Sequence, residues 1–427
     1  RIVKCEGGLY LWTTDTGYYK RLSRGLDELH AIFSKDKIAR KYVANNSKYQ
    51  GLKSIFKAII KEDPLLLNRV MDSVGYICFG DGTMWDLVNK ERIPSTRDIV
   101  FLSGMTYIPT ERNNALVEVV KKELFINPLG KEQGEFLLNS FARSIGKHVG
   151  DKRLFGLIGN ANGGKGVIMN GMESAFQGLI GHFNGEDLMY KRGGSDTAKT
   201  LSWIKNLQSK SIGFANEVEM GPTTYLSGNI MKKLATGGDV ITARQNHQDE
   251  DEFVLPATCF IAMNDLPEIK PLDEGVRNRF MTIEFKKTFV DKVVNPEYQL
   301  QGDHTIKDKV KTMEWKSSLF WAVLDAYTPD MVDPPQECIE FKEEIIEDES
   351  DEAKIRALFT KASNLTDTTL ADDLHREVKF AGIVISKAKL SRTMSMLGFP
   401  VDRKRVDGNR KKMYNIILNS KFQDDCV

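Results

Sequence analysis

Eight residues, Gly159-Asn160-Ala161-Asn162-Gly163-Gly164-Lys165-Gly166, have the types and spacing of a loop that cradles phosphate. Glycines let successive backbone N–H groups turn toward phosphate oxygens. A helix starting where the loop ends points its positive end at the same anion. Lys165 adds a cation for the β and γ phosphates of a nucleotide, and Val167 continues the segment into the helix. The residue after the lysine is usually Ser or Thr, whose hydroxyl binds Mg²⁺. Here it is Gly166, which leaves phosphate binding possible and puts metal positioning, and so hydrolysis, in question.

Phosphoryl transfer is mostly positioning and charge neutralisation, so such a loop needs acids, a polar sensor and a further cation. KSIGFANEVEMG (210–221) reads as an apolar strand ending in Glu217 and Glu219. Carboxylates at the carboxyl end of a parallel strand face the phosphate site. Glu217 is the first choice for holding metal and polarising water, and Glu219, on the same side of an extended strand, is the reserve. TCFIAMND (258–265) is a second buried-type strand, ending in Asn264, a candidate to orient water or sense the γ-phosphate. DEGVRNRFMTIEF (273–285) places Arg277 and Arg279 just before a third strand, where either could reach the nucleotide of a neighbouring copy.

The elements that must hold these residues follow from periodicity. LFGLIG (154–159) is a strand and VIMNGMESAF (167–176) continues the loop as a helix. Strand, glycine loop, helix, strand, hairpin and strand alternate from 153 to 285, which implies an α/β layer structure with a mostly parallel sheet. Phe136, Leu137, Phe141 and Ile145 recur at helical spacing, and 313–327 reads as an amphipathic helix. Upstream, 10–20 reads as a hairpin, 26–72 as helices, and 75–109 as strands and turns around Gly80-Asp81-Gly82. Residues 337–352 are strongly acidic, as a solvated helix face would be.

The last unit, 353–427, is locally basic. An amphipathic helix (385–399) carries Lys387, Lys389 and Arg392. Basic arms with Arg403, Lys404 and Arg405 flank an Asp-Gly-Asn turn. A helix followed by such a wing is a winged-helix pattern. It fits phosphate-backbone contacts, or alternatively a docking face for protein.

Composition sets the bounds. The 427 residues suit two to four domains, and a net charge of +1 gives no bulk pull toward nucleic acid. Five scattered cysteines without a CxxC pair argue against a disulfide framework or zinc ribbon. No apolar run is long enough to cross a membrane. The expectation is a soluble intracellular protein, and the Arg1 start suits a C-terminal piece of a longer chain.

Between acids and asparagine lies KKLATGGDVITARQNH (232–247). The TGGD-x-I-x-AR string, with the elements around it, resembles superfamily 3 helicases, most closely the primase-helicases of poxvirus-like viruses and phages. GDGTMWDLVNKERIPSTRD (80–98) is similar to an element preceding those cores. The resemblance implies an AAA+ P-loop core within 121–300, a mainly helical N-terminal domain with β-hairpin elements (1–120), and a helical lid with a winged-helix-like domain (301–427). It implies a hexamer-like ring with ATP, or another NTP or dNTP, and Mg²⁺ between subunits. Lys165, Glu217, Glu219 and Asn264 would match the family's loop, acids and sensor. Arg279 aligns best with the arginine that completes a neighbour's site, and Arg277 stays open. Single-stranded or forked DNA would pass through the ring, gripped by a hairpin at 241–257 with Arg244 and His247 near its start or tip. An attached primase-polymerase is implied as partner, at the site of viral or phage DNA replication in the host cell. Two rival readings remain. One is a ring that binds nucleotide and DNA but hydrolyses weakly, which Gly166 keeps in view. The other is a small-metabolite kinase, for which TGGD and late arginines have no use.

Overall fold

The computed structural model describes residues 1–35, 39–189, 201–216, 225–243 and 251–348. It also describes 355, 358–361, 369–381, 383, 387–396, 399, 401–406, 409–414 and 416–418. The chain divides into two compact units, Arg1–Ile339 and Glu340–Val427.

Five strands form the central sheet of the first unit: β1 (Leu154–Gly159), β2 (Ile180–His182), β3 (Ile212–Asn216), β4 (Thr258–Met263) and β5 (Phe280–Phe285). Their order is β5-β1-β4-β3-β2 and every pairing is parallel. β1 and β4 are continuous apolar runs because parallel strands in the middle of such a sheet are covered on both faces. On one face, helix α1 (Lys131–Ile145) presents Phe136 and Phe141 to Phe155, Phe214 and Phe260. Phe155 and Phe260 stack with ring centroids 4.6 Å apart. Helices α2 (Lys165–Ala175) and α5 (Met313–Asp325) add Ile168, Met172, Leu319 and Phe320 to the same core. Each buried Phe contributes roughly 2–3 kcal/mol of apolar transfer, so this layer is the scaffold on which the carboxyl ends of β1 and β4 are held.

The connections carry the remaining short elements: α3 (Gly228–Leu234), the antiparallel pair Val240–Ala243 with Asp251–Val254, and α4 (Glu274–Arg279). Within the expected 241–257 hairpin the described strands pair antiparallel, with Ala243 opposite Asp251. Its tip, with Arg244 and His247, lies outside the described residues.

The first 120 residues combine helices with two sheets. Tyr19–Arg21, Gly8–Trp12, Ile2–Cys5 and Lys61–Glu62 form a four-stranded sheet, and Tyr76–Cys78, Thr83–Asp86 and Glu91–Pro94 a three-stranded meander. The 10–20 hairpin and the strands around Gly80–Gly82 belong to these sheets, and the main helix is Asn46–Ile59. Val3 joins Lys61 across 58 residues, a pairing that local pattern does not reveal.

The second unit has helices Ala371–Phe380 and Lys387–Met396 and a three-stranded sheet, in which Val401–Val406 and Asn409–Tyr414 form an antiparallel pair beside Thr369–Leu370. Leu374, Val378, Leu390, Met394 and Tyr414 make its core. The four cysteines among the described residues are buried free thiols. No helix among the described residues is long and apolar enough to cross a membrane.

Candidate functional site

The loop between β1 and α2 has the backbone that its glycines allow. Asn162 and Gly164 are left-handed at φ 60 and 97, and Gly159 is at φ 147, a region open to glycine alone. An added Cβ on Gly159 would collide with the carbonyl of Phe285, its register partner in β5. Gly164 caps α2, and the N–H groups of Val167 and Ile168 both donate to its carbonyl at 3.1 Å. The loop and the first turn, Ala161–Ile168, line a cavity of about 620 Å³ together with Asn170.

Lys165 is buried, its ammonium folded back on the carbonyls of Gly159 and Asn160, the latter at 3.0 Å. It also donates to Oδ1 of Asn264 at 3.2 Å. Met263 pairs with Ile158, so Asn264 leaves β4 directly beside the end of β1. Two residues 99 apart in sequence thus meet at the carboxyl edge of the sheet. Open α/β sheets bind ligands there, at the point where connections leave neighbouring strands in opposite directions. Here the chain leaves β1 for the far edge at β2 and returns through β3 to β4.

The opposite wall comes from residues that sequence reasoning did not select. Phe289 packs over Gly164, and its N–H donates to the carbonyl of Asn162 at 2.9 Å. Glu123 and Leu124 reach the cavity from a π-helical turn, Lys122–Ile126. π-turns are frequent at functional sites, but they leave no sequence period to detect. Asp291, Asp303, His304 and Lys307 also line the cavity. Lys309 and Thr305 hydrogen-bond the Asp303 carboxylate and push its pKa down to about 2. Asp303 is thus paired with Lys309, and Asp291 with the His304 ring, so this part of the lining is mixed in charge.

Gly166 lines the cavity, and an added Cβ there would meet nothing within 4 Å. The acids Glu217 and Glu219 lie outside the described residues. The strand before them ends at Asn216, paired with Ala262, two residues before Asn264. Arg277 and Arg279, on α4, do not line the cavity. Arg279 donates to the carbonyl of Ala235, at the end of α3, at 3.0 Å, and to that of Gly275 at 2.9 Å.

With that geometry established, relatives become informative. The chain is similar to two viral proteins named as helicases. It is 26% identical over 342 residues to the proposed helicase V13 of Sputnik virophage, covering 76% of this chain and 43% of that protein. It is 22% identical over 280 residues to the proposed helicase L207/L206 of Acanthamoeba polyphaga mimivirus, covering 62% and 28%. The chain spans less than half the length of these curated relatives. No family model matches. Among solved structures, the NrS-1 C-terminal region aligns at TM-score 0.49 and 11% identity over 96% of this chain and 94% of that one. A JCV helicase structure aligns at 0.34 and 12%, over 74% and 76%.

In the second unit, Lys387 forms an ion pair with Asp372 at 2.6 Å, both exposed. Lys389 and Arg392 belong to the helix Lys387–Met396, and Arg403, Lys404 and Arg405 to the strand Val401–Val406. The side chains of these five lie outside the described set.

Proposed function

We propose that the chain is the nucleoside-triphosphate-driven motor module of a viral DNA helicase. The observation that carries this reading is the meeting of Lys165 and Asn264 at the glycine-loop end of the cavity. It is supported by the glycine loop that lines the cavity, the antiparallel strand pair that follows the TGGD string, and the names of the two viral relatives.

In this reading Gly159–Val167 wrap the phosphates of ATP or another NTP or dNTP. The ammonium of Lys165 leaves the carbonyls of Gly159 and Asn160 for the β and γ phosphates. Asn264 orients the attacking water, and Glu217, with Glu219 behind it, takes the water's proton at the end of β3. Mg²⁺ fits this donor set in part: Glu217 and Glu219 supply carboxylates, position 166 supplies none, and the open space around Gly166 has room for metal-bound water. When bound, Mg²⁺ neutralises phosphate charge. Arg279 or Arg277 of an adjacent copy completes the site in a hexamer-like ring. The 241–257 hairpin, through Arg244 and His247, grips single-stranded or forked DNA, and Lys387, Lys389, Arg392, Arg403, Lys404 and Arg405 add backbone contacts from a winged-helix-like unit. An attached primase-polymerase is the expected partner.

Gly166 favours a second reading, a ring that binds nucleotide and DNA but turns over slowly, serving as a clamp. Steady-state ATP hydrolysis separates the two. The motor reading expects DNA-stimulated turnover that falls at least about a hundredfold in Lys165→Ala and Glu217→Gln. Tight nucleotide binding with no turnover at any DNA concentration would favour the clamp.

A further inference from the structure

Lys152 ends the short turn Val149–Asp151 with left-handed backbone, φ 55. Glycine is the default at such a position, and an L side chain there costs of order 1 kcal/mol. What the lysine adds is a contact with the TGGD string. Gly237, at φ 79, sits against its methylene stem: an added Cβ would lie 2.5 Å from Lys152 Cγ and 3.0 Å from Cδ. Gly237 is held to glycine by its backbone, and the Lys152 stem lies against it. The contact sits at the turn that leads through Gly238 and Asp239 into the strand Val240–Ala243.

The head of the side chain is differently placed. Lys152 is exposed, and among the described residues no carboxylate pairs with it. Two other cations are engaged: Lys232 of α3 with Asp273 at 2.5 Å, and Arg279 with the carbonyl of Ala235. A lysine whose stem lies along a neighbour while its ammonium stays in solvent can offer that charge to a polyanion.

We propose that Lys152 contacts a backbone phosphate of single-stranded DNA at the root of the hairpin, a role that rests on the hairpin being the DNA grip. The position couples the TGGD turn to the strand: DNA held by Lys152 bears on Gly237, and through it on α3 and the carbonyl that Arg279 holds.

The test uses the full chain, a fluorescein-labelled oligothymidylate and anisotropy across a salt series, with triphosphate affinity measured in parallel. Lys152→Met keeps the stem on Gly237 and removes the charge; Lys152→Arg restores a charge. The expected result is weaker DNA binding for Lys152→Met, with a log–log salt slope shallower by about 0.7, recovery in Lys152→Arg, and unchanged triphosphate affinity in both. DNA affinity and slope equal to the native chain would overturn the proposal, as would a loss of affinity with an unchanged slope. Native chain that binds triphosphate but no DNA would overturn it while leaving the phosphate-loop reading intact. Failure to bind either would remove both.

Discussion

The Lys165 ammonium lies 3.2 Å from Oδ1 of Asn264. One residue opens the helix after β1 and the other ends β4, so a cation for phosphate and an amide for water share one corner of the sheet. Asn264→Ala should keep triphosphate affinity within several-fold and lower turnover by about a hundredfold, the scale of losing one preorganised polar group. Unchanged turnover would mean that Asn264 only tethers the lysine.

Two glycines of the loop should respond in opposite ways. Gly159→Ala places a methyl against the Phe285 carbonyl in a backbone region closed to alanine, so it should cost about 2 kcal/mol or more of stability. Gly166→Ser enters open space in the first turn of α2. It should fold at least as well as the native chain and raise Mg²⁺-dependent turnover by supplying the absent hydroxyl. Thermal melts and hydrolysis rates check both, and a Gly166→Ser variant with lower Tm would refute the open-space account.

How much of this was legible in the sequence depended on the kind of signal. β1 and β4 were readable because burial on both faces makes them unbroken apolar runs, and the loop because its glycines answer to backbone angles. The order of Lys165, Asn264 and Arg279 along the chain was readable, but not their distances. Arg279 is engaged by carbonyls of its own chain, a fact no spacing encodes. Phe289 and the π-turn at Lys122–Ile126 were missed because FKKTFVD has no period and a π-turn leaves none. In the N-terminal sheet the neighbouring strands pair locally, but the edge pairing of Val3 with Lys61 spans 58 residues and leaves no local pattern. Glu217, Glu219, Arg244 and His247 lie outside the described residues.

Lys147 offers a pH signature. It is buried beside Ser73, with Nζ to Oγ at 2.6 Å, and burial lowers its pKa to about 8. The ordinary lysine value is 10.5, so between about pH 8 and 10.5 the unfolded chain binds more protons and stability rises with pH. Below pH 8 the folded protein carries the full cost of a buried charge. Lys147→Met should therefore raise stability at pH 7, by up to about 3 kcal/mol, and flatten the rise seen in the native chain. Denaturant melts across this range check it, and parallel pH profiles would contradict the assignment.

If an arginine from one copy completes the site of the next, two inactive variants should rescue each other. Arg279→Ala and Glu217→Gln should each bind triphosphate and fail to turn it over. Mixed, they form interfaces in which an intact Glu217 faces an intact Arg279, so activity should return in part. No recovery at any ratio, with assembly demonstrated, would place the completing cation elsewhere, and Arg277 would be tested next in the same way.

The whole account stands on phosphate binding by Gly159–Lys165. Calorimetric titration of ATP, and of tripolyphosphate, into the purified chain and its Lys165→Ala variant tests this most directly. Both ligands should bind the native chain, competing for one site, and Lys165→Ala should weaken each by at least about tenfold, or 1.4 kcal/mol. Equal affinity in the variant, or heat from neither ligand with the native chain, would contradict it.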